Sequence, residues 1–302
     1  MPKGQTVVSS PTIIIFLLAA AFTVKAQPTL LKNRLETIIA GYRATVGICM
    51  QGPESQDTLS INGSRHFPMQ SVYKFPIALA ILHEVDKGKL SVDQKVMIRK
   101  ADLRPNTWSP IREKYPDGNI SMSLEELLGY TVSRSDNNGC DILLRLAGGT
   151  ARVNHYMHSL GIKDIAVAAT EAEMATGWNV QFNNRATPTA AVQLLQLFYN
   201  GKILSVKSRA LLLKIMTETS TGSKRLKGLL PEGTTVAHKT GTSNTNDAGL
   251  TAATNDIGFI TLPDGRHFTI AVFITDTYEN GETNEHIIAA VAKAAWDYFT
   301  GK

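Results

Sequence analysis

Several features of common protein classes are absent from this 302-residue sequence. It has two cysteines, no C-x-x-C or H-E-x-x-H pattern and no histidine cluster, so we expect neither a metal site nor another cofactor. Its net charge of +5 is scattered, without a basic run or interleaved aromatic residues, which disfavours nucleic-acid binding. It also lacks the G-x-S-x-G elbow of many serine esterases, which disfavours that class of enzyme.

The N-terminus lacks a run long enough to span a bilayer. The apolar run IIIFLLAAAFTV follows Lys3, and the short stretch VKA precedes Gln27. This order of a positive charge, a short apolar core and small residues is typical of a cleaved secretory signal peptide. We therefore predict a signal peptide at residues 1–26, a periplasmic location and no membrane association after cleavage.

The two cysteines allow either one disulfide or two free thiols. Cys49 ends the strand-like run ATVGICM, whereas Cys140 follows a polar loop and opens a helical run. An exported chain of this length can bury a sufficient core without a disulfide. These surroundings favour two buried free thiols.

Strand patterns occur near both ends of the chain, and helical patterns fill its middle. Short turns join the late strands, which favours antiparallel pairing. We predict an α/β plus all-α protein of two lobes, with the site at their interface. Residues 27–66 and 220–302 would form an α/β domain, and residues 67–219 an inserted helical domain. No amphipathic face is left over, so a monomer is the default.

The stretch MQSVYKFP places Ser71 three residues before Lys74, which puts both side chains on one face of a helix. A serine hydroxyl is a weak nucleophile until a base accepts its proton, and a lysine of lowered pKa can be that base. A serine and a lysine at this spacing arise often by chance, and a solvated surface lysine is the plain alternative. The apolar helix that follows Lys74 favours an interior position instead.

Two further patterns contain polar groups that could assist a reaction at Ser71. SRSDNNGCD places Ser135 and Asn137 in a loop between two helical runs, although such clusters also serve as ordinary helix caps. AHKTGTS places Lys239, Thr240 and Gly241 on a strand, where a glycine lets a ligand approach the backbone closely. S-x-x-K, S-D-N and K-T-G in this order form the motif set of class A β-lactamases and penicillin-binding proteins.

With this set, the chain resembles the class A serine β-lactamases over essentially its whole mature length, and in particular the PER, VEB and TLA types. The resemblance is carried by PMQSVYKFPIALA, LRPNTWSP, TVSRSDNNGCDILL, QFNNRATPTA, TGSKRLKGLLP and VAHKTGTS. It implies the two-lobed serine β-lactamase and DD-peptidase fold, with an antiparallel five-stranded sheet flanked by helices. It implies a serine hydrolase that opens β-lactams through an acyl-enzyme and confers resistance, and this branch favours cephalosporins.

The resemblance also assigns the catalytic roles. Ser71 is the expected nucleophile, Lys74 orients it and relays protons, and Ser135 passes a proton to the leaving lactam nitrogen. The backbone N–H groups of Ser71 and Thr242 form the expected oxyanion hole. Whether Lys74 or a glutamate acting through water accepts the first proton is disputed for the family.

Substrate contacts follow from the same resemblance. Asn137 would bind the side-chain amide of the substrate, and Lys239 and Thr240 its ring carboxylate, beside the bare backbone of Gly241. Arg225 occupies the place where some members supply a second cation for that carboxylate, with a surface arginine as the alternative. Trp108 is either a wall of the cleft mouth or a core tryptophan.

A deacylating glutamate separates a β-lactamase from a peptidase that stays acylated. TEAEMATGWNVQFNNRATP offers Glu171 and Glu173, and the family's spacing to Pro188 selects Glu171. Two departures accompany it. Ala175 stands where many members have a water-holding asparagine. Ala169 and Asn184 stand where many have an arginine–aspartate pair, so we expect other contacts to hold this loop.

Two other functions share these motifs. A penicillin-binding DD-peptidase would acylate without turnover, and a catalytically silent exported binding protein would keep only the fold. The intact Ser71, Lys74 and Glu171 favour the hydrolase, whose partner is a small β-lactam substrate.

Overall fold

The computed structural model describes Met1, Gly4 and residues 26–54 and 58–301. The predicted signal peptide at residues 1–26 therefore lies outside the described residues, apart from Met1, Gly4 and Ala26. Within the described part of the chain, no helix has the length and apolarity needed to cross a membrane.

A five-stranded antiparallel sheet contains strands from both ends of the chain, in the order β2-β1-β10-β9-β8. The strands that form it are β1 (Thr45–Gln51), β2 (Thr58–Ile61), β8 (Val236–Thr242), β9 (Thr254–Thr261) and β10 (His267–Thr275). The turn signal PDGR joins β9 to β10, with Gly265 at a φ of +84°. Because β8 is last in the strand order, it pairs with β9 alone in this sheet and has one free edge.

The helices are α1 (Ala26–Ala40), α2 (Lys74–Asp86), α3 (Pro110–Lys114), α4 (Leu124–Val132), α5 (Asn137–Ala147), α6 (Thr150–Ser159), α7 (Glu171–Met174), α8 (Pro188–Tyr199), α9 (Val206–Thr217) and α10 (Gly281–Thr300). Short 3-10 helices cover Gln70–Tyr73, Lys100–Asp102 and Trp178–Phe182. The predicted two-lobed β-lactamase-type fold with an antiparallel five-stranded sheet is confirmed. The domain boundaries at residues 66, 67, 219 and 220 remain predictions.

Two small sheets lie among the helices. One contains β3 (Phe67–Pro68), β6 (Ile165–Ala166) and β7 (Arg185–Ala186), and the other contains β4 (Lys95–Ile98) and β5 (Ile120–Ser123). Two-residue strands carry too little alternation to be read from sequence, so β6 and β7 were not predicted.

Alternating side chains of the large sheet supply two separate cores. Ile270, Val272 and Ile274 of β10 face α1 and α10, whereas Ala271 and Phe273 join the core of the helical region. This period-two alternation is the pattern expected of a sheet buried on both faces. Strand β8 is paired with β9 on one side, and its other edge is available to the site.

Both cysteines are free and buried, as the sequence favoured. Burial raises the pKa of the Cys49 thiol to about 11. Burial likewise raises the pKa of Cys140, whose thiol donates to the Tyr73 hydroxyl at 3.1 Å. A raised pKa keeps a thiol protonated and unreactive at neutral pH, so both act as small apolar side chains.

Candidate active site

Ser71 lies in the 3-10 helix immediately before α2 rather than in the α-helix itself. The preceding Gln70 has a φ of +47°, a left-handed backbone that turns the chain sharply. The Asn255 amide donates to the carbonyls of Pro68 and Met69 at 2.8 and 3.2 Å, which ties this turn to strand β9. Ser71 is thereby held half-exposed at the junction of helix and sheet.

Lys74 is fully buried one turn beyond Ser71 and is surrounded by oxygens. Its Nζ donates to Ser71 Oγ at 2.9 Å, to the Ser135 carbonyl at 2.9 Å and to Asn137 Oδ1 at 2.5 Å. Its Nζ also lies 3.0 Å from Glu171 Oε1. An ammonium has three protons, so these oxygens compensate the burial of its charge.

The loop before α5 brings Ser135 and Asn137 to the same place. Ser135 has a φ of +59°, which lets its carbonyl accept from Lys74 while its hydroxyl accepts from Lys239 Nζ at 3.0 Å. The buried Asp136 carboxylate fixes the loop by accepting from the backbone N–H groups of Gly139 and Ile111, both at 2.7 Å. It is therefore a structural cap between two residues that line the site.

The free edge of β8 forms the opposite wall. Lys239 is fully buried, and the Thr240 hydroxyl lies 2.6 Å from that of Thr221. A side chain at Gly241 would collide with the Met69 carbonyl oxygen, so only glycine lets β8 approach the turn before Ser71 this closely. This close contact brings Thr242 and Ser71 to the same cavity.

The charge state of Lys239 depends on its burial. Desolvation, and then the nearby charge of Lys74, lower the pKa of Lys239 well below its ordinary value. An anionic carboxylate that reached this amine would favour its charged form again. Lys239 lies behind Ser135, whose hydroxyl accepts its hydrogen bond at 3.0 Å and lines the cavity.

Glu171 is the first residue of α7 and is nine-tenths buried. Its backbone N–H donates to Asp141 Oδ1 at 2.8 Å, and that of Ala172 to Asp141 Oδ2 at 3.0 Å. Its Oε1 is paired by charge with Lys74 but accepts no hydrogen bond among the described residues. Glu171 Oε1 and Ser71 Oγ thus lie 3.0 and 2.9 Å from the same Lys74 ammonium, and Glu171 also lines the larger cavity of the cleft.

Glu173 occupies a different environment two residues later. It is exposed, and its carboxylate accepts from the Thr170 N–H at 2.8 Å and the Thr170 hydroxyl at 3.0 Å. Those hydrogen bonds lower the pKa of Glu173 and commit it to capping α7. The structure therefore brings Glu171, and not Glu173, to Lys74.

Two adjoining cavities form the cleft. One of about 280 Å³ is lined by Ser71, Ser135, Arg225 and Thr240, and another of about 750 Å³ by Glu171 and Gln181. Both are lined by Trp108, Asn137, Thr242, Ser243 and Asn244. A cleft of this size with convergent polar groups suits a small molecule.

A model of the β-lactamase enzyme family matches residues 30–299 of the chain. The chain belongs to this family. It is 49% identical to β-lactamase VEB-1 of Pseudomonas aeruginosa over 96% of this chain and 98% of that protein. It is 46% identical to the extended-spectrum β-lactamase PER-1 of Pseudomonas aeruginosa, over 97% and 95% of the two chains.

Solved structures agree with these relatives. The crystal structure of the TLA-3 extended-spectrum β-lactamase matches with a TM-score of 0.88 and 54% identity, over 90% of this chain and 98% of that one. The resemblance to class A serine β-lactamases of the PER, VEB and TLA branch is therefore confirmed.

For two candidate substrate contacts of this β-lactamase, Arg225 and Trp108, the degree of burial decides between the alternatives given by the sequence. Arg225 is only 6% exposed, so it is not a surface arginine. Its guanidinium donates to the carbonyls of Gly241 and Asn255 and to Thr242 Oγ1, and its Nε pairs with Glu285. Four of its five N–H groups are used in this way, which leaves one Nη2 proton for a ligand.

Trp108 is not a core tryptophan. Its side chain is 55% exposed, lines both cavities and donates from Nε1 to the Arg134 carbonyl at 2.9 Å. This bond holds the indole as a fixed wall at the junction of the two cavities.

The loop that carries Glu171 is held without an arginine–aspartate pair. Asn184 Oδ1 accepts from the N–H groups of Ala168 and Ala169 at 2.7 and 2.9 Å, and its Nδ2 donates to the Ala169 carbonyl at 2.7 Å. The same two positions are therefore still linked, but by amide-to-backbone hydrogen bonds. The sequence excluded the ion pair at Asn184 but did not predict these bonds.

The sequence also did not indicate several residues that hold the site in place. Asp141 anchors α7, Asn255 fixes the turn before Ser71, and Gln70 Nε2 donates to Gln181 Oε1 at 2.7 Å across the cleft floor. Each is a common polar residue in an ordinary element, so no local pattern distinguishes it. Among the described residues, no group of three or more His, Cys, Asp and Glu side chains is arranged to hold a metal ion.

We expect Asn184→Ala to lower the free energy of unfolding by about 2–3 kcal/mol. The change leaves the buried Ala169 N–H and carbonyl without partners, and each such loss costs about 1–3 kcal/mol. Urea unfolding followed by circular dichroism measures the difference.

Asn183→Ala is the matched control, because Asn183 is exposed and adjacent. A surface change of this kind should stay within about 0.5 kcal/mol. Equal unfolding free energies for the two variants would show that Asn184 does not anchor the loop.

Proposed function

We propose that the protein hydrolyses the amide bond of β-lactams through a Ser71 acyl-enzyme and confers β-lactam resistance, with cephalosporins among its good substrates. The observation that carries the proposal is the convergence of Ser71, Ser135 and Glu171 on the ammonium group of Lys74. Its relatives are named β-lactamases, and two of them extended-spectrum β-lactamases.

Binding begins at the ring carboxylate of the substrate. Thr240 and the remaining proton of Arg225 would hold it at the Ser71 end of the cleft, because both line that region. The charge of Lys239 would assist from behind Ser135, whose hydroxyl accepts from Lys239 Nζ at 3.0 Å. Asn137 Nδ2 would bind the side-chain amide after leaving the Thr107 hydroxyl, to which it now donates at 2.7 Å. These contacts would place the lactam carbonyl over Ser71 Oγ.

Acylation then forms the Oγ–carbonyl bond and breaks the lactam C–N bond. The N–H groups of Ser71 and Thr242 would stabilise the oxyanion, each worth about 2.7–4 kcal/mol. The serine proton would pass to Lys74, if its side chain is then the neutral amine with a free lone pair, or, through water, to Glu171. Ser135, bonded to Lys239 and adjacent to Lys74, would deliver a proton to the departing nitrogen.

Deacylation requires a water molecule activated by Glu171. The Glu171 carboxylate would accept a proton from the water while the water oxygen attacks the ester carbonyl. The carbonyl–Oγ bond then breaks and that proton passes to Ser71 Oγ, which frees the serine and the opened product. Ala175 lines the cavity but has no side-chain amide to hold that water. The water would therefore be held by Glu171 and Ser71 with backbone groups of the cleft.

We also propose that the chain is exported to the periplasm with removal of residues 1–26, and acts there as a monomer on small molecules. The charge, apolar core and small residues at the N-terminus support export. The scattered basic residues support the absence of a nucleic-acid partner.

Purified protein tested with benzylpenicillin and a chromogenic cephalosporin decides between the functions that share these motifs. We expect catalytic turnover of both substrates, with the larger kcat/KM for the cephalosporin. A stable acyl adduct without turnover would instead identify a DD-peptidase-like protein. Neither adduct nor turnover would identify a silent binding protein.

A further inference from the structure

The outer part of the larger cavity is not used by the acylation chemistry. This cavity of about 750 Å³ extends from Glu171 past Asn137 to Asn106 and Arg112 on the far wall. The proposed amide-binding Asn137 lies where the two cavities join. A substrate side chain that continues beyond that amide would therefore enter the larger cavity.

Arg112 is held in place on this wall. It lies in α3, where its Nη1 donates to the Arg104 carbonyl at 2.6 Å and its backbone N–H donates to Ser109 Oγ at 3.2 Å. Ser109 in turn donates to the buried Asp136 carboxylate at 2.9 Å, which also accepts from the Ile111 N–H. The helix that carries the guanidinium is thus anchored to the loop of Ser135 and Asn137.

The guanidinium has capacity for an anion. Arg112 is half-buried, and it pairs with no carboxylate in the part of the chain that the structure describes. One of its five N–H groups donates to Arg104, and the described residues provide acceptors for no other side-chain N–H. Glu113, also on this wall, is exposed and likewise forms no ion pair among them.

The cleft therefore has positive charge at two separated places. Arg225 lines the cavity at the Ser71 end, where the ring carboxylate is proposed to bind, and Lys239 lies behind Ser135 there. Arg112 lines the larger cavity. We propose that Arg112 is a specificity-determining residue that favours β-lactams with a second carboxylate on the acylamino side chain. This inference rests on the proposed β-lactam hydrolysis, and it adds a preference for substrates that carry two carboxylates.

Steady-state kinetics with two cephalosporins test it. Ceftazidime has an oxyimino arm that ends in a carboxylate, cefepime has one that ends in a methyl group, and both carry a cationic group on the other side of the ring. In Arg112→Gln, we expect the ratio of the ceftazidime KM to the cefepime KM to rise about fivefold, the scale of a partly exposed ion pair. Arg112→Lys should restore most of the ratio, because it keeps the charge.

Two further measurements separate charge from structure. Glu113→Gln removes a neighbouring negative charge and should lower the same ratio. Added salt should raise the ratio in the unmodified protein and have a smaller effect in Arg112→Gln, because ions screen an exposed pair. Arg152→Gln, an exposed arginine of α6 that does not line the cleft, is the matched control and should leave the ratio unchanged.

The outcomes distinguish the two proposals. If the unmodified protein turns over neither these cephalosporins nor the chromogenic cephalosporin, the proposed function is wrong. If it turns over the chromogenic cephalosporin but not ceftazidime, the function stands and the preference assigned to Arg112 is overturned. If it turns over both ceftazidime and cefepime and the ratio in Arg112→Gln stays within twofold, the role of Arg112 is overturned. A variant that changes both KM values by the same factor also overturns it, because that result indicates a structural role alone.

Discussion

Ser71→Ala is expected to abolish β-lactam turnover while leaving a folded protein. The change removes the oxygen that forms the acyl bond, and loss of a serine nucleophile lowers kcat by roughly 10⁶-fold. Lys74 keeps the Ser135 carbonyl, Asn137 and Glu171 as partners, so its buried charge stays compensated. Hydrolysis of a chromogenic cephalosporin gives the rate, and circular dichroism reports the fold.

Ser121→Ala is the matched control for this variant. Ser121 is an exposed residue of β5, and its hydroxyl is not part of the cleft. We expect the control to hydrolyse the substrate at the unmodified rate. Turnover by Ser71→Ala above roughly one-thousandth of that rate would overturn the assignment of Ser71 as nucleophile.

Glu171→Gln should convert the enzyme from one that turns over into one that accumulates its acyl intermediate. The amide keeps the size of the side chain, and the bonds from the Glu171 and Ala172 N–H groups to Asp141 are unaffected. It cannot accept the proton of the attacking water, and loss of a general base lowers a rate by roughly 10²–10⁴-fold. Intact-protein mass spectrometry after mixing with a cephalosporin should show the adduct.

The same variant bears on how Ser71 is activated. Without the Glu171 carboxylate, Lys74 Nζ, at 2.9 Å from Ser71 Oγ, is the remaining candidate base beside the nucleophile. Rapid adduct formation in Glu171→Gln would therefore indicate that Lys74 can accept the serine proton. Adduct formation slowed as strongly as deacylation would indicate that Glu171 supplies the base for both steps.

Glu173→Gln is the control for Glu171. Its carboxylate is exposed and caps α7 through Thr170, so the change should weaken that cap without blocking turnover. We expect turnover within about threefold of the unmodified protein and no adduct. If the adduct appears in Glu173→Gln and not in Glu171→Gln, the two assignments must be exchanged.

Much of the fold could be predicted because its signals are local. Apolar residues every three or four positions predicted the long helices, and the turn PDGR between alternating runs predicted β9 and β10. The Ser123 hydroxyl caps α4 by accepting from the Glu126 N–H at 3.1 Å, and a serine three residues before a glutamate is a local signal of a helix start. Ser71 itself lies in a 3-10 turn after the left-handed Gln70, one turn before α2 begins at Lys74, a detail that helical spacing alone does not specify.

The reacting groups were predicted in a different way. Ser71, Lys74, Ser135 and Lys239 could be chosen because three short motifs occur in one order, and Glu171 by its spacing to Pro188. Their supports could not be chosen in this way. Asp141 and Asn184 contact backbone atoms 30 and 15 residues away, and an isolated Asp or Asn has no pattern that indicates such a partner.

The sequence by itself determined the chemical groups available to this protein, the two-lobed fold class and the absence of the usual pair at Ala169 and Asn184. Only the tertiary structure decided which groups meet. Lys74 obtains its oxygens from residues 61, 63 and 97 positions further along the chain, and Arg112 joins the cleft through a separate helix. Contacts of that range depend on packing of the helices against the sheet, which local patterns do not encode.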